Sequence, residues 1–503
     1  MMKIEIQTPT KAYLRNVDQH TLASIKKFLS YVNVSNLTQY KKTLNNQWFK
    51  QKNPVEWEAK CEELKESINH CLVYSDQEGT YIRSGSVPYL IEAGIIPENS
   101  VDNKIQYPNF KLMAWAHVPK YNLYPYQKST VEKLINEKHG CAVLCTGAGK
   151  TLAILTIARN MGLKTLIITP SQSIFSEIVE SCEHHFGRGN VGMLGDGKKK
   201  TDKKITVCIS KSITTLKPDS EHYNNIKSAQ LLLVDETHLF AAESLEEICH
   251  GVLSDIPYRF FFTGTHTRGD GSVKLLESIT GKVVETLSTK QAVEGGYISD
   301  HEFRIVKVES DKPKYKVSDP IAMKRAHFLR NSNISNFITK LSESVYNTKN
   351  EKTLVLVEEL GQIADIIKVL KVPYAYAHSG TNKKELEKLG LKSVNVQDEV
   401  EKFNKGEVAV LIGTSCISTG TNIYPVHHCV NWQGGSSEIK TKQGAVGRSV
   451  RKLSSSGYER FHPEKTKAVI WDFDVQNVPT MTQQLKNRIR YYKHSGTPIK
   501  EIG

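Results

Sequence analysis

No two of the nine cysteines stand at Cys-x-x-Cys spacing, which argues against a zinc ribbon or a dithiol redox motif. They are scattered, odd in number, and several lie in apolar runs such as "CAVLC" and "TVCIS", where a free thiol behaves as a small hydrophobe. With no secretory signal visible, the expected setting is a reducing cytoplasm, that of the host if the chain is phage-encoded. No apolar run approaches the roughly 20 residues that cross a bilayer, so no membrane association is expected. There is no low-complexity segment, and the aromatic share is 8%. Acid is the scarcer charge: Lys plus Arg exceeds Asp plus Glu by 67 − 53 = 14. That surplus suits a polyanionic partner, and a plain solubility charge accounts for it equally well.

What is present is a pattern of short apolar runs spaced by helical stretches. "CAVLC", "TLIIT", "ITVCI", "QLLLVD" and "RFFFT" form one series; "TLVLV", "PYAYA", "VAVLI", "HHCVNW" and "KAVIWD" form a second. Runs of this length between helices indicate parallel sheets buried on both faces. The expected fold class is therefore α/β, with two parallel-sheet domains in tandem and a small N-terminal α/β accessory domain. The expected boundaries are 1–110 for the accessory domain and 111–300 for the first α/β domain. A charged linker follows over 301–325, then the second α/β domain over 326–475 and a basic helical tail over 476–503.

One stretch carries phosphate chemistry. "LCTGAGKT" places Thr146, Gly147, Ala148 and Gly149 between a strand and a helix that begins at Lys150 and Thr151. Glycines let backbone N–H groups approach an anion, and the helix N-terminus adds favourable partial charge. Lys150 suits the β/γ-phosphates of ATP and Thr151 suits Mg²⁺. Leu144 stands where the strict phosphate-loop pattern has a glycine. Downstream, "QLLLVDETHLF" ends a buried strand in Asp235 and Glu236. Asp235 suits Mg²⁺. Glu236 suits the base that orients and deprotonates a water.

Asp235-Glu236-Thr237-His238 resembles the D-E-x-H box of superfamily 2 helicases, and other stretches agree in order and spacing. Tyr124-Pro125-Tyr126-Gln127 resembles the element whose Gln127 would read adenine. Thr169, Pro170 and Ser171 of "TPSQSI", and Ser210 and Ser212 of "ISKSITTL", resemble nucleic-acid backbone contacts. Thr263-Gly264-Thr265 resembles the hydroxyl motif that, with His238, couples hydrolysis to strand movement. "IGTSCISTGTNI" resembles the next motif, with Thr414 and Ser415 toward nucleic acid and Gly420 toward nucleotide. "QGAVGRSVRK" resembles the arginine motif, with Arg448 and Arg451 in its register. Here Gly444 holds the usual glutamine position, and Gln443 lies one residue earlier. Singly, each Ser/Thr cluster reads as readily as a helix cap.

At subfamily level the chain is most similar to phage branch-migration helicases of the UvsW type. That resemblance implies an ATP- and Mg²⁺-dependent DNA helicase in which both parallel-sheet domains are RecA-like, 111–300 binds ATP and the accessory domain 1–110 is a DNA-binding candidate. Lys150, Glu236, Arg448 and Arg451 would be its catalytic groups, and branched or forked DNA its partner. An RNA helicase, a duplex translocase that does not unwind, and a nucleotide-gated binding module without turnover remain alternatives. Three further stretches read more blandly. "NNQWFKQKN" suits an amphipathic helix packing its aromatics better than a base-stacking surface. "GDGKKKTDKK" suits a solvated hairpin tip. The tail helix carries Lys486, Arg488, Arg490 and Lys493 on more than one face, so part of it packs on the core.

Overall fold

The apolar runs become strands because their side chains have little else to do than leave water. In the computed structural model described here, Leu231–Val234 is buried at every position, each such side chain worth about 1.5–3 kcal/mol of burial. The structure describes residues 2–111, 122–264, 271–310, 319–380, 382–417, 421–435, 445–476, 478–494 and 497–502. Thr265, Gly420, Gln443 and Gly444 lie outside these residues. The chain divides into two units. The first is Met1–Leu144 with Lys150–Thr286; the second is Leu287–Gly503 together with the short loop Cys145–Gly149.

The first unit starts with strands β1 (Lys3–Thr8), β2 (Lys11–Arg15), β3 (Ser30–Val32), β4 (Asn69–Cys71), β5 (Val73–Asp76), β6 (Gly79–Arg83) and β7 (Val101–Asn103). Among the described residues, five form a mostly antiparallel sheet in the order β5-β6-β2-β1-β7, and β3 pairs only with β4. Helix α1 (Gln19–Phe28) precedes β3. Helices α2 (Val34–Leu44), α3 (Gln47–Lys52) and α4 (Pro54–Glu66) then run between β3 and β4.

The same unit continues with β8 (His139–Leu144), β9 (Thr165–Thr169), β10 (Val191–Gly195), β11 (Lys198–Lys200), β12 (Ile205–Ile209), β13 (Leu231–Val234), β14 (Tyr258–Thr263) and β15 (Val283–Leu287). Their order is β11-β10-β12-β9-β13-β14-β8-β15. The run from β10 to β8 is parallel, and β10 with β11 makes a hairpin whose second strand, Lys198–Lys200, is exposed.

The N-terminal sheet docks on the helices behind the parallel sheet. Arg83 pairs with Glu246 at 2.8 Å, and Tyr74 donates to the same carboxylate at 3.2 Å. Tyr89 donates to the Gly281 carbonyl at 2.9 Å. A side chain at Gly85 would collide with the Ser278 carbonyl, so the close approach there requires glycine. One apolar cluster joins Ile4, Ile25 and Leu90 to Leu245, Leu276 and Ile279.

In the second unit, β16 (Asp300–Val308), β17 (Thr353–Val357), β18 (Tyr374–Ala377), β19 (Val410–Gly413), β20 (His428–Trp432), β21 (Lys467–Val475) and β22 (Ile499–Ile502) form a sheet ordered β18-β19-β17-β20-β21-β16-β22. Every pairing in it is parallel. One expectation changes here. The span 301–325, expected as a linker, opens inside β16, a nine-residue strand paired along its whole length with β21. The tail helix (Pro479–His494) packs part of itself on the core as expected: Arg488 is 2% exposed and forms a bidentate pair with fully buried Asp472 at 2.6 and 2.8 Å. Tyr492 donates to the same carboxylate at 2.7 Å. Among the described residues, no helix is long and apolar enough to cross a membrane.

Candidate nucleotide site and motor motifs

The site grows from the ends of two parallel strands and the start of one helix, all in the first unit. After β8 the chain turns through Gly147 at φ +85° and Gly149 at φ +68°, left-handed values that glycine adopts without strain. It then enters the helix Lys150–Met161. Ala148 closes the turn by donating its N–H to the Cys145 carbonyl at 3.2 Å. Lys150 is buried, and its Nζ lies 3.1 Å from Glu236 Oε1 and 3.5 Å from the Leu144 carbonyl. Thr151 is half-buried beside it.

Strand β13 delivers Asp235 and Glu236. Glu236 sits at φ +49°, ψ +48°, a left-handed conformation that an ordinary side chain disfavours. Its other oxygen, Oε2, lies 3.3 Å from His238 Nδ1, and that nitrogen is 3.0 Å from Thr263 Oγ1. Thr237 fixes the turn by donating to the Phe262 carbonyl of β14 at 3.0 Å. Lys150, Glu236, His238 and Thr263 therefore form one chain of polar contacts. A Cβ on Gly264 would lie 3.9 Å from both Lys150 Nζ and His238 Cε1, so the residue after Thr263 borders the same spot.

Asp235 is buried, and its Oδ1 accepts the Glu236 N–H at 2.9 Å. Burial pushes its carboxyl up to about 7, and the neighbouring Glu236 carboxylate adds to this while the Lys150 charge opposes it. Among the described residues two carboxylates share the charge of one lysine, an excess of negative charge at this corner. That excess, with hard oxygen donors, fits Mg²⁺, which is held by one or two carboxylates plus phosphate and water. Among the described residues, no group of three or more His, Cys, Asp or Glu side chains gathers as a full protein cage.

Gln127 is buried at the start of the helix Pro125–Glu137, where its Oε1 accepts the Tyr124 N–H at 2.9 Å. The residues expected along nucleic acid differ in exposure. Thr169 is buried and its hydroxyl donates to the Cys208 carbonyl at 3.3 Å. Ser210 and Thr414 are also buried, and the Thr414 hydroxyl lies 3.5 Å from Cys416 Sγ. Pro170, Ser171 and Ser212 are half-buried, and Ser415 is exposed.

In the second unit, Arg448 is buried within the short helix Gly447–Ser449. Arg451 donates to the Thr421 carbonyl at 3.0 Å and to Asn422 Oδ1 at 2.8 Å, tying the arginine segment to the loop that follows Gly420. Lys465, which gave no sequence signal, is buried and donates to the carbonyls of Arg451 and Tyr424 at 2.7 and 3.2 Å. Burial and the nearby Arg451 charge lower its ammonium to about 7. The tail helix also grips this unit's backbone: Gln484 accepts the Gly435 N–H at 3.1 Å, and Arg488 donates to the Gly435 carbonyl. A lone lysine and a tail glutamine carry no local pattern by which either could have been found.

Residues 120–268 match the family described as Type III restriction enzyme, res subunit, and residues 336–452 match the Helicase conserved C-terminal domain. The chain belongs to helicase superfamily 2. As a superfamily 2 helicase it is an ATP-hydrolysing enzyme, with two parallel α/β sheets and an N-terminal α/β region. It is similar to the DNA 3'-5' translocase XPB2 of Sulfurisphaera tokodaii, 25% identical over 402 residues that span 72% of this chain and 85% of the relative. It also resembles the Type ISP restriction-modification enzyme LlaBIII bound to DNA, at a TM-score of 0.51 and 12% identity. That alignment covers 77% of this chain and 32% of the restriction enzyme. The T4 UvsW structure aligns over 100% of this helicase and 99% of UvsW, with a TM-score of 0.42 and 16% identity. At those values it carries no part of the assignment.

Proposed function

We propose that this helicase is a DNA motor that translocates on branched or forked DNA and remodels it by fork reversal and branch migration, within a reducing cytoplasm. The observation that carries the motor reading is the continuous chain Lys150–Glu236–His238–Thr263. It ties a phosphate-binding lysine to the hydroxyl motif through the carboxylate best placed to activate water. The basic surplus of 14 charges and the XPB2 relative, itself named a DNA translocase, support DNA as the polyanion. The branched substrate rests on the UvsW-type resemblance of the motifs.

In this reading Lys150 and the N–H groups of Thr146–Gly149 bind the β/γ-phosphates of ATP. Gln127 reads adenine. Asp235 and Thr151 would hold Mg²⁺, which when bound would draw negative charge off the phosphate oxygens. Glu236 accepts the proton of the attacking water, and its contact with Lys150 yields to the incoming nucleotide. His238 and Thr263 carry the change at Glu236 to the segment after β14, where Thr265 lies. Arg448 stabilises charge on the transferring phosphoryl group, and Arg451 supports it by fixing the loop at Thr421 and Asn422, next to Gly420.

Ser171, with Pro170 before it in the chain, and Ser212 and Ser415 contact the nucleic-acid backbone. The buried hydroxyls of Thr169, Ser210 and Thr414 shape the loops that present those contacts. Backbone contacts of this kind carry no base code, so binding is sequence-independent and salt-sensitive. The test is a panel of labelled fork, four-way junction, plain duplex and RNA hybrid, each with and without ATP. ATP-dependent conversion of the fork and junction supports the reading. Preference for the RNA substrate, or nucleotide binding without phosphate release, overturns it.

A further inference from the structure

An arm made of α2, α3 and α4 runs from β3 to β4, the two-stranded pair that stands apart from the five-stranded N-terminal sheet. It is built without a core of its own: α2 and α3 contain no buried residue, and α4 buries only Cys61 and Leu64. Polar caps and a few hydrogen bonds hold its shape. Asn33 and Asn46 cap α2 and α3, Trp57 Nε1 donates to the Thr43 carbonyl at 2.8 Å, and Asn36 reaches the Ser67 carbonyl at 3.0 Å. Nine large apolar side chains are exposed among the described residues, and five of them, Val32, Val34, Leu44, Trp48 and Val55, lie on this arm or its root. Trp48 is 66% exposed. The structure therefore turns the aromatic outward, against the expectation that this stretch packs its aromatics inside.

Charge narrows what the arm faces. From Val34 to Asn53 there are four lysines, Lys41, Lys42, Lys50 and Lys52, and no acid. Lys52 Nζ sits 4.7 Å from the centre of the Trp48 ring, and Lys50 Nζ is 4.7 Å from that of Trp57. An exposed indole with flanking cations is the chemistry that stacks an unpaired base while meeting its phosphates. The arm's root is also informative. A side chain at Gly271, at φ +83°, would collide with the Val32 carbonyl, and Lys274 Nζ lies 4.0 Å from the Phe28 ring centre. The arm thus springs from beside Gly271 and the helix Val273–Thr280.

We propose that this arm is a second nucleic-acid site, in which Trp48 stacks on an unpaired base at a fork while Lys50 and Lys52 hold the adjoining phosphates. The proposal rests on the nucleic-acid reading above and adds to it a site for single-stranded bases.

The test compares wild type, Trp48→Ala, Trp48→Phe and Lys50→Gln/Lys52→Gln in binding to a labelled fork with unpaired arms and to a blunt duplex of equal length. Trp48→Ala is expected to weaken fork binding about tenfold and to leave blunt-duplex binding and basal ATP hydrolysis unchanged. Trp48→Phe should retain most of the fork affinity, and the lysine pair variant should bind the fork more weakly at low salt and lose affinity less steeply than wild type as salt rises. Fork binding by Trp48→Ala equal to wild type overturns the proposal and leaves the motor reading intact; it is the result expected if the arm instead docks a protein. Equal loss on fork and duplex also overturns it. A wild type that binds neither substrate removes both readings.

Discussion

Asp235 and Asp472 are two buried carboxylates on parallel sheets of the same chain, and they are treated in opposite ways. Asp472 meets a bidentate arginine and a tyrosine hydroxyl. Asp235 meets one backbone N–H and shares the charge of Lys150 with Glu236. Taking a carboxylate out of water costs several kcal/mol unless partners replace the lost solvation. The second unit supplies those partners and gains a fastened tail helix. The first unit leaves the deficit open, and a nucleotide with its cation is what would close it. A fully matched buried charge thus reads as architecture, and an under-matched one as a place prepared for a ligand.

The sharpest break of this comparison is at the under-matched corner. Lys150→Ala and Glu236→Gln are each expected to lower nucleic-acid-stimulated ATP hydrolysis by about 10²–10⁴-fold, and Glu236→Gln, which removes one of the two competing carboxylates, should do so without lowering the urea midpoint; steady-state phosphate release and a denaturation curve check both. At the matched site the outcome inverts. Arg488→Met strands Asp472 and should cost about 3–5 kcal/mol of stability, whereas replacing Asp472 and Arg488 together by apolar residues should recover most of that loss.

Asp235→Asn separates function from stability at a single residue. The Asp235 carboxyl is raised to about 7 from 3.8. Its contribution to folding is therefore complete below about pH 4 and is lost as pH rises through about 7. Asp235→Asn keeps the neutral form, so without nucleotide it should melt several degrees above wild type at pH 8, equal it near pH 4, and hydrolyse no ATP. The shift corresponds to a few kcal/mol at most.

The mildest effect belongs to Glu246, an intermediate case. Burial resists its ionisation, but the nearby His250 imidazole and the hydrogen-bonded Arg83 guanidinium prevail and hold the carboxyl at about 2, below the ordinary 4.5. Its contribution is present above about pH 4.5 and fades as pH falls through about 2. Glu246→Gln should cost about 1–3 kcal/mol at pH 7, and the difference from wild type should shrink in acid.

The polar chain at the first corner was legible because its members announce themselves locally. The glycines precede Lys150, and the carboxylates end an apolar run, so short windows suffice. The rest depends on distant partners. Arg488 looked like one more cation on a basic helix because Asp472 lies on a strand 16 residues earlier, beyond any helical period. Thr169 looked like a surface hydroxyl because Cys208, which accepts its proton, belongs to a different strand. Strand β16 was obscured by the lysines and acids after it and by its own Glu302, Arg304 and Lys307, which interrupt what would otherwise read as an apolar run. The arm around Trp48 was misjudged for the converse reason: helical spacing says which side chains share a face, and nothing about whether that face meets a core.

The left-handed backbone at Glu236 has one more implication. A residue held there forfeits about 1–2 kcal/mol relative to a relaxed conformation, so the direction of its carboxylate is set by the main chain and not by side-chain rotation alone. The glutamate is aimed before any fuel arrives. A variant that kept the acid but let the peptide relax would lose that aim, and with it the alignment of the water it is meant to steer.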